Sequence, residues 1–340
     1  MSEGSTLIVR VGAMGDVVHA LPAVAALRKQ RPGAEIGWVV DPRWAPLLID
    51  ELGGGPLVSR VHLAETKLWS RAPFSAETAQ SVAGLRRELR ARRYGRVVDM
   101  QGTLRSAVIG RFARAARFAG FEDPREPAAK FLYRERFSPR GAHVVEQGAA
   151  LLGDALGAKL EPTPPELART VWAEHWAEDL VGAASPCVLA ASAGWGAKQW
   201  PIQHYAELAR RLRQLGFRVI ANAPRKDDPL AGRLAQLSGG AAQAVVCNVA
   251  GLIALLRRSA VVVGGDSGPV HVAAALGVPV VGLYGPTDPA RNGPWGPGPK
   301  KVLRHRSSAT SHKRVQTVDP GLVRIGPEEV VAAVAEVLDG

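Results

Sequence analysis

Three short segments place carboxylates, a lysine and small residues where the chain must turn between an apolar run and a helical one. The first is Val11-Gly12-Ala13-Met14-Gly15-Asp16-Val17-Val18-His19-Ala20-Leu21-Pro22. Gly12 and Gly15 let the backbone turn sharply and come close to a ligand. Asp16 has two readings. A carboxylate at a helix start accepts a backbone N–H as an N-cap. A carboxylate at the carboxyl end of a strand is also available as a general base. The second segment is Ser192-Ala193-Gly194-Trp195-Gly196-Ala197-Lys198-Gln199-Trp200-Pro201. Its small residues and lysine suit a diphosphate, with backbone N–H groups and an ammonium on the oxygens. A solvated loop lysine is the plainer alternative.

The third segment, Val261-Val262-Val263-Gly264-Gly265-Asp266-Ser267-Gly268-Pro269-Val270-His271, joins an apolar strand to a helix that starts near Pro269. First-turn N–H groups and the helix dipole favour an anion there. Ser267 and Gly268 let phosphate oxygens approach, while Asp266 either caps the helix or contacts the substrate. His271 reads as a helix-interface histidine rather than a base. Downstream, Leu283-Tyr284-Gly285-Pro286-Thr287-Asp288-Pro289 reads as turn chemistry.

Other chemistries find little support. The spacing Gly-x-x-Gly-Asp at Gly12 departs from the dinucleotide fingerprint, which weakens a nicotinamide cofactor. No Asp-x-Asp pair occurs, so a metal–diphosphate clamp of that type is unsupported, and no zinc spacing is present. Cys187 and Cys247 both sit in apolar runs and read as small buried hydrophobes, not a disulfide framework.

The elements that must position these segments alternate along the chain. Strands are expected at Thr6 to Val11, Ile36 to Val40, Leu57 to Leu63 and Arg96 to Met100, with helices from Asp16 to Arg31 and Leu85 to Arg93. Prolines punctuate the stretch from Asp123 to Leu167, and Pro162-Thr163-Pro164-Pro165 reads as a linker. A second strand–helix series begins at Cys187 and closes with a helix from Pro327 to Leu338. Strand, helix, strand in succession argues for parallel sheets covered on both faces. The expectation is an α/β chain of two Rossmann-like domains, residues 1–163 and 164–340, facing an interdomain cleft. Its length of 340 residues and 46% apolar content allow two cores.

Charge points to polyanions. Lys and Arg number 43 against 31 acidic residues, a formal net charge of +12. Basic groups lie at Arg86, Arg87, Arg90, Arg92, Arg93 and Arg96, then at Lys130, Arg134, Arg136 and Arg140. A third is Lys300, Lys301, Arg304, Arg306, Lys313 and Arg314. A solvated face is the plain reading of each. Aromatic residues are 6% of the chain, too sparse for base stacking, so nucleic acid is not expected as a partner. No apolar run reaches the length of a spanning helix, and Met1-Ser2-Glu3-Gly4-Ser5-Thr6 lacks the pattern of a secretory signal. A cytoplasmic chain is expected.

Taken together, the segments resemble glycosyltransferase family 9, the ADP-heptose-using heptosyltransferases of lipopolysaccharide core synthesis. Gly15-Asp16-Val17-Val18-His19-Ala20-Leu21-Pro22, Lys198-Gln199-Trp200-Pro201, Asp266-Ser267-Gly268-Pro269-Val270-His271 and Gly285-Pro286-Thr287-Asp288-Pro289 carry the resemblance. Asp99-Met100-Gln101-Gly102-Thr103-Leu104-Arg105-Ser106-Ala107, Arg125-Glu126-Pro127 and His143-Val144-Val145-Glu146 look most like the members that add the first heptose. The approach Gly194-Trp195-Gly196-Ala197 looks closer to members that add the second. The resemblance implies a GT-B fold and an inverting transfer that needs no metal or cofactor. It implies Asp16 as general base and Lys198 as the cation on the departing diphosphate. Gly15, Asp266, Ser267, Gly268 and His271 are then donor-binding, and Lys67, Arg71 and Arg125 acceptor-binding. The first domain would hold a Kdo-lipid A acceptor and the second ADP-heptose, with the last helix packing back on the first domain. Peripheral contact with the anionic inner face of the cytoplasmic membrane fits the same picture. Rival readings are another nucleotide-sugar transferase or epimerase of the same fold, or a non-catalytic polyanion-binding protein.

Overall fold

The computed structural model describes residues 4–52, 57–192, 194–311 and 315–340. Of the residues singled out above, Met1, Ser2, Glu3, Ala193, Lys313 and Arg314 lie outside the described residues. The chain divides into two compact units, Met1–Ala168 and Arg169–Gly340.

The first unit is built on β1 (Thr6–Val9), β2 (Ile36–Val40), β3 (Arg60–Leu63), β4 (Arg96–Asp99), β5 (Arg117–Phe121) and β6 (Glu135–Phe137). They pair in parallel in the order β3-β2-β1-β4-β5-β6, with Thr6 in register with Ile36 on one side and Arg96 on the other. Parallel neighbours need crossovers. Those of this unit carry α1 (Met14–Gln30), α2 (Thr66–Arg71), α3 (Ala76–Arg92) and α4 (Leu104–Phe112), and α5 (Val144–Leu156) follows the last strand.

The second unit repeats the scheme. Its strands are β7 (Cys187–Ala190), β8 (Val219–Ala223), β9 (Ala242–Val246), β10 (Val261–Gly265), β11 (Val280–Tyr284) and β12 (Lys300–Arg304). Its helices include α6 (Val171–Val181), α7 (Ile202–Gln214), α8 (Pro229–Leu237), α9 (Val249–Arg257) and α10 (Gly268–Ala275). The order β12-β11-β10-β7-β8-β9, again all parallel, is that of the first sheet read from its other edge. In each unit the first and fourth strands are central neighbours, and the chain builds outward from them in opposite directions. Such a reversal opens a crevice at the carboxyl ends of those two strands, where ligands bind in sheets of this kind.

Every residue of β1, β2, β10 and β11 is buried, which is why those runs read as continuously apolar. In the second unit Trp200, Leu208 and Leu212 pack with Val261, Val263 and Leu283. The closing helix, Pro327–Asp339, adds Val330, Val334 and Val337 to that core. It therefore packs within its own unit. Cys187 and Cys247 are buried free thiols, and burial pushes their pKa up to about 12 and about 11. Between α5 and α6 the proline-rich stretch forms neither helix nor strand. It is tied down by the Thr163 N–H, which donates to the Pro22 carbonyl at 3.2 Å.

Candidate active site

Asp16 stands just beyond β1, at the first switch point. The structure corrects its local reading, because α1 begins at Met14 and its N-cap is Ala13. Asp16 is thus the third residue of the helix, within its first turn, and its Oδ2 accepts the Ala13 N–H at 3.2 Å. That leaves Oδ1, which Arg10 Nη2 approaches at 3.1 Å. The same guanidinium donates through Nε to the Asp16 carbonyl at 3.1 Å and through Nη1 to the Met100 carbonyl. The Asp16 side chain is 36% exposed, so it is both fixed and reachable.

The neighbouring central strand, β4, supplies the scaffold for this turn. Asp99 at its end is fully buried and accepts from Gln101 N, Gly102 N, Ser106 Oγ and Tyr133 OH, each within 3.1 Å. Burial pushes its carboxyl above the usual range, against the pull of these hydrogen bonds. The turn so formed aims Gln101 Oε1 at Val11 N (2.7 Å) and Gly12 N (3.2 Å). Asp99 therefore shapes the loop that supports the Asp16 turn. Sequence reasoning gave no role to Arg10, Asp99 or Gln101. The signal available was a polar residue ending each of two central apolar strands.

Lys67, Arg71 and Arg125, the cations expected to bind the acceptor, lie on segments that follow strand carboxyl ends, on the same edge of the sheet as Asp16. Lys67 and Arg71 are exposed on α2, after β3. Arg125 is exposed after β5, in a segment whose Glu126 caps α4 by accepting the Leu104 N–H at 2.8 Å.

At the second switch point Lys198 follows β7 and Asp266 follows β10. Lys198 Nζ donates to Asp266 Oδ2, and His271 Nε2 lies 3.0 Å from Asp266 Oδ1. The three side chains are 13%, 9% and 4% exposed. Burial alone would raise the Asp266 carboxyl. The hydrogen bond and charge of His271, then those of Lys198, outweigh it and hold the group well below the usual range. The ammonium also sits 4.3 Å from the centre of the Trp195 ring. Gly265 is required here, since a Cβ would lie 2.7 Å from the Lys198 carbonyl oxygen.

With both its oxygens engaged, Asp266 does not cap α10. The N-cap is Ser267, which makes no side-chain cap hydrogen bond. Its buried Oγ has no partner among the described residues, nor has the buried Thr287 Oγ1 in the loop after β11. Gly268 opens the helix, so the first-turn N–H groups have no capping side chain beside a buried lysine. The surroundings are braced: Ala197 N donates to Val315 O at 3.1 Å, and Arg304 Nε to Gly285 O at 3.1 Å. A helix start and a held cation have the chemistry to receive a phosphate or diphosphate. Among the described residues no group of three His, Cys, Asp or Glu side chains is placed to share a metal ion.

Comparison with known proteins bears on this geometry. A family model described as "Glycosyltransferase family 9 (heptosyltransferase)" matches residues 82–321. Lipopolysaccharide heptosyltransferase 1 of Pseudomonas aeruginosa is 30% identical over 294 residues, 85% of this chain and 81% of that protein. Its namesake in Escherichia coli is 30% identical over 299 residues, covering 85% and 90%. Among solved structures, the E. coli heptosyltransferase WaaC with ADP superposes with a TM-score of 0.79 at 27% identity, covering 98% of this chain and 99% of that one.

Proposed function

Because the chain belongs to glycosyltransferase family 9, the heptosyltransferase family, we propose that it moves heptose from ADP-heptose to the Kdo-lipid A inner core of lipopolysaccharide. The observation that carries this reading is the pairing of buried Lys198 with an uncapped helix start at Ser267 and Gly268. When a nucleotide diphosphate sugar reacts, negative charge grows on the leaving diphosphate. Fixed donors and a cation at that position act most strongly in the transition state. The ADP in the WaaC complex and the names of the sequence relatives support the choice of nucleotide, sugar and acceptor.

In the proposed reaction an acceptor hydroxyl oxygen attacks the anomeric carbon as the bond from that carbon to the diphosphate breaks. Asp16 takes the hydroxyl proton. The electron pair leaves on ADP, which Lys198, Ser267 and Gly268 hold, while Gly15, Asp266 and His271 shape the donor site. One displacement inverts the anomeric centre, with protein charge and dipoles serving in place of a metal. Lys67, Arg71 and Arg125 neutralise carboxylates or phosphates of the acceptor, so the first unit takes the acceptor and the second the donor. No helix among the described residues is long and apolar enough to cross a membrane. A lipid-linked acceptor and a +12 charge support peripheral contact with the anionic inner face of the cytoplasmic membrane.

The direct test is turnover of ADP-heptose with a truncated Kdo-lipid A acceptor in the presence of a chelator. The expected result is release of ADP matched by an inverted heptosyl product. Turnover of a different nucleotide sugar, with ADP-heptose inert, overturns the donor assignment.

A further inference from the structure

The outer face of α3 carries a feature that the transfer reaction does not use. An open cavity of about 680 Å³ lies along it, lined by Thr78, Val82, Arg86, Arg87 and Arg90 among others, and no carboxylate lines it. Members of the other basic groups have local partners. Arg140 pairs with Asp154 and Lys301 with Glu336, Arg134 donates to the Ala116 carbonyl, and Arg304 braces Gly285 and Thr310. Within α3, Glu88 is engaged with His62 on β3, at 2.8 Å.

A solvated arginine needs no protein partner, and exposed Arg86 and Arg87 fit that description. Two other groups do not. Thr78 Oγ1 and Arg90 Nε are withdrawn from water with no hydrogen-bond partner among the described residues. Thr78 is 6% exposed. Buried donors of this kind are normally satisfied, so each calls for a partner. Burial, followed by the like charges of Arg114 and Arg86, pushes the Arg90 guanidinium below its ordinary value. An anion would relieve that repulsion.

Spacing limits what the anion is. Arg86, Arg87 and Arg90 fall within about one turn of helix, the reach of a single phosphate with forked donors around it. Thr78 lies two turns nearer the start of α3, about 12 Å of helix rise before Arg86 at 1.5 Å per residue, and long side chains lean toward the helix start, which narrows the gap to the length of a glycerol-sized ester. We propose that this face of α3 is a binding site for a phosphate ester. The phosphate sits on Arg86, Arg87 and Arg90, and a polar part of the same ligand reaches Thr78. The inference stands apart from the transferase reading, since no residue of either switch point takes part.

The ligand comes either from a lipid headgroup or from solution, and one experiment separates them. The full chain is compared with a variant carrying Arg86→Gln, Arg87→Gln and Arg90→Gln, and with Thr78→Val alone. Inorganic phosphate and glycerol phosphate are titrated by calorimetry against chloride at equal ionic strength. Vesicles of phosphatidylglycerol are compared with phosphatidylcholine by flotation. The expected result is a loss of about tenfold or more in phosphate affinity for the triple variant. Thr78→Val should weaken glycerol phosphate but not inorganic phosphate. A urea unfolding transition followed by circular dichroism, unchanged in both variants, reports that the fold of the first unit is intact. Selective loss of phosphatidylglycerol binding assigns the headgroup as source, and loss of soluble-phosphate binding alone assigns solution. Equal binding by the wild type and the triple variant in every arm overturns the proposal.

Discussion

Lys198 and Asp266 form a buried ion pair, Nζ on Oδ2, that joins the loop after β7 to the start of α10. The pair holds the ammonium beside the uncapped helix start before any substrate arrives. Lys198→Ala should weaken ADP binding, and it should also leave Asp266 buried with His271 as its remaining partner. Breaking one side of a buried pair costs about 3–5 kcal/mol. Calorimetry with ADP and urea unfolding of the same variant separate the two effects. Unchanged ADP affinity in a folded Lys198→Ala protein removes the lysine from the phosphate site.

Acid should weaken the second unit through Asp266. Its carboxyl lies lower in the folded protein than the roughly 3.9 of an unfolded chain. The folded state therefore binds fewer protons at low pH. The stabilisation is present above about pH 4 and is lost as pH falls toward the depressed folded value. Asp266→Asn should be less stable than the wild type at pH 7, with the difference shrinking below about pH 4. Urea melts across pH 2.5 to 7 test this, and a gap that stays constant across that range contradicts it.

A single methyl group should disturb the same site from the sheet side. At Gly265 an added Cβ meets the Lys198 main-chain carbonyl, which has no flexible end to swing away. Gly265→Ala must push the lysine loop outward. The expected cost is about 1–3 kcal/mol of stability, with a clear fall in ADP affinity. Normal affinity with lowered stability would show that the loop position does not govern binding.

Much of this arrangement is legible in the residues, for identifiable reasons. Central strands are buried on both faces, so β1, β2 and β10 show as apolar runs, and the turns after β1, β7 and β10 stand out by their glycines and a charged residue in each. The family resemblance drawn from those turns is borne out by the family match over residues 82–321, which takes in the turns after β7 and β10, and by relatives 30% identical over 85% of the chain. Edge strands are harder to see. Glu135-Arg136-Phe137 of β6 is partly exposed, and β12 opens with two lysines, so neither shows the apolar signature. In β5, Gly120 breaks the pattern because the Tyr133 ring occupies the space of a side chain. The contacts of Asp16 were also hidden. Arg10, six residues before it, is anchored across the sheet on Met100, and Gln101 reaches its turn from the end of the neighbouring strand; no rule of local spacing connects these pairs 90 positions apart.

Asp16 gives the sharpest kinetic expectation. Its carboxylate keeps one oxygen on the Ala13 N–H and the other on Arg10, which in turn is anchored on the Met100 carbonyl. Asp16→Asn retains the shape and an acceptor for Ala13 but cannot take a proton at the pH of catalysis. Turnover should drop by about 10²–10⁴, the usual contribution of a general base, while ADP affinity stays as in the wild type. Arg10→Gln should lower kcat by less, again without weakening ADP, because it loosens the carboxylate rather than removing it. Steady-state kinetics and ADP calorimetry on both variants test the ordering. Full activity in Asp16→Asn eliminates the residue as the base, and equal losses in the two variants assign Arg10 more than a positioning role.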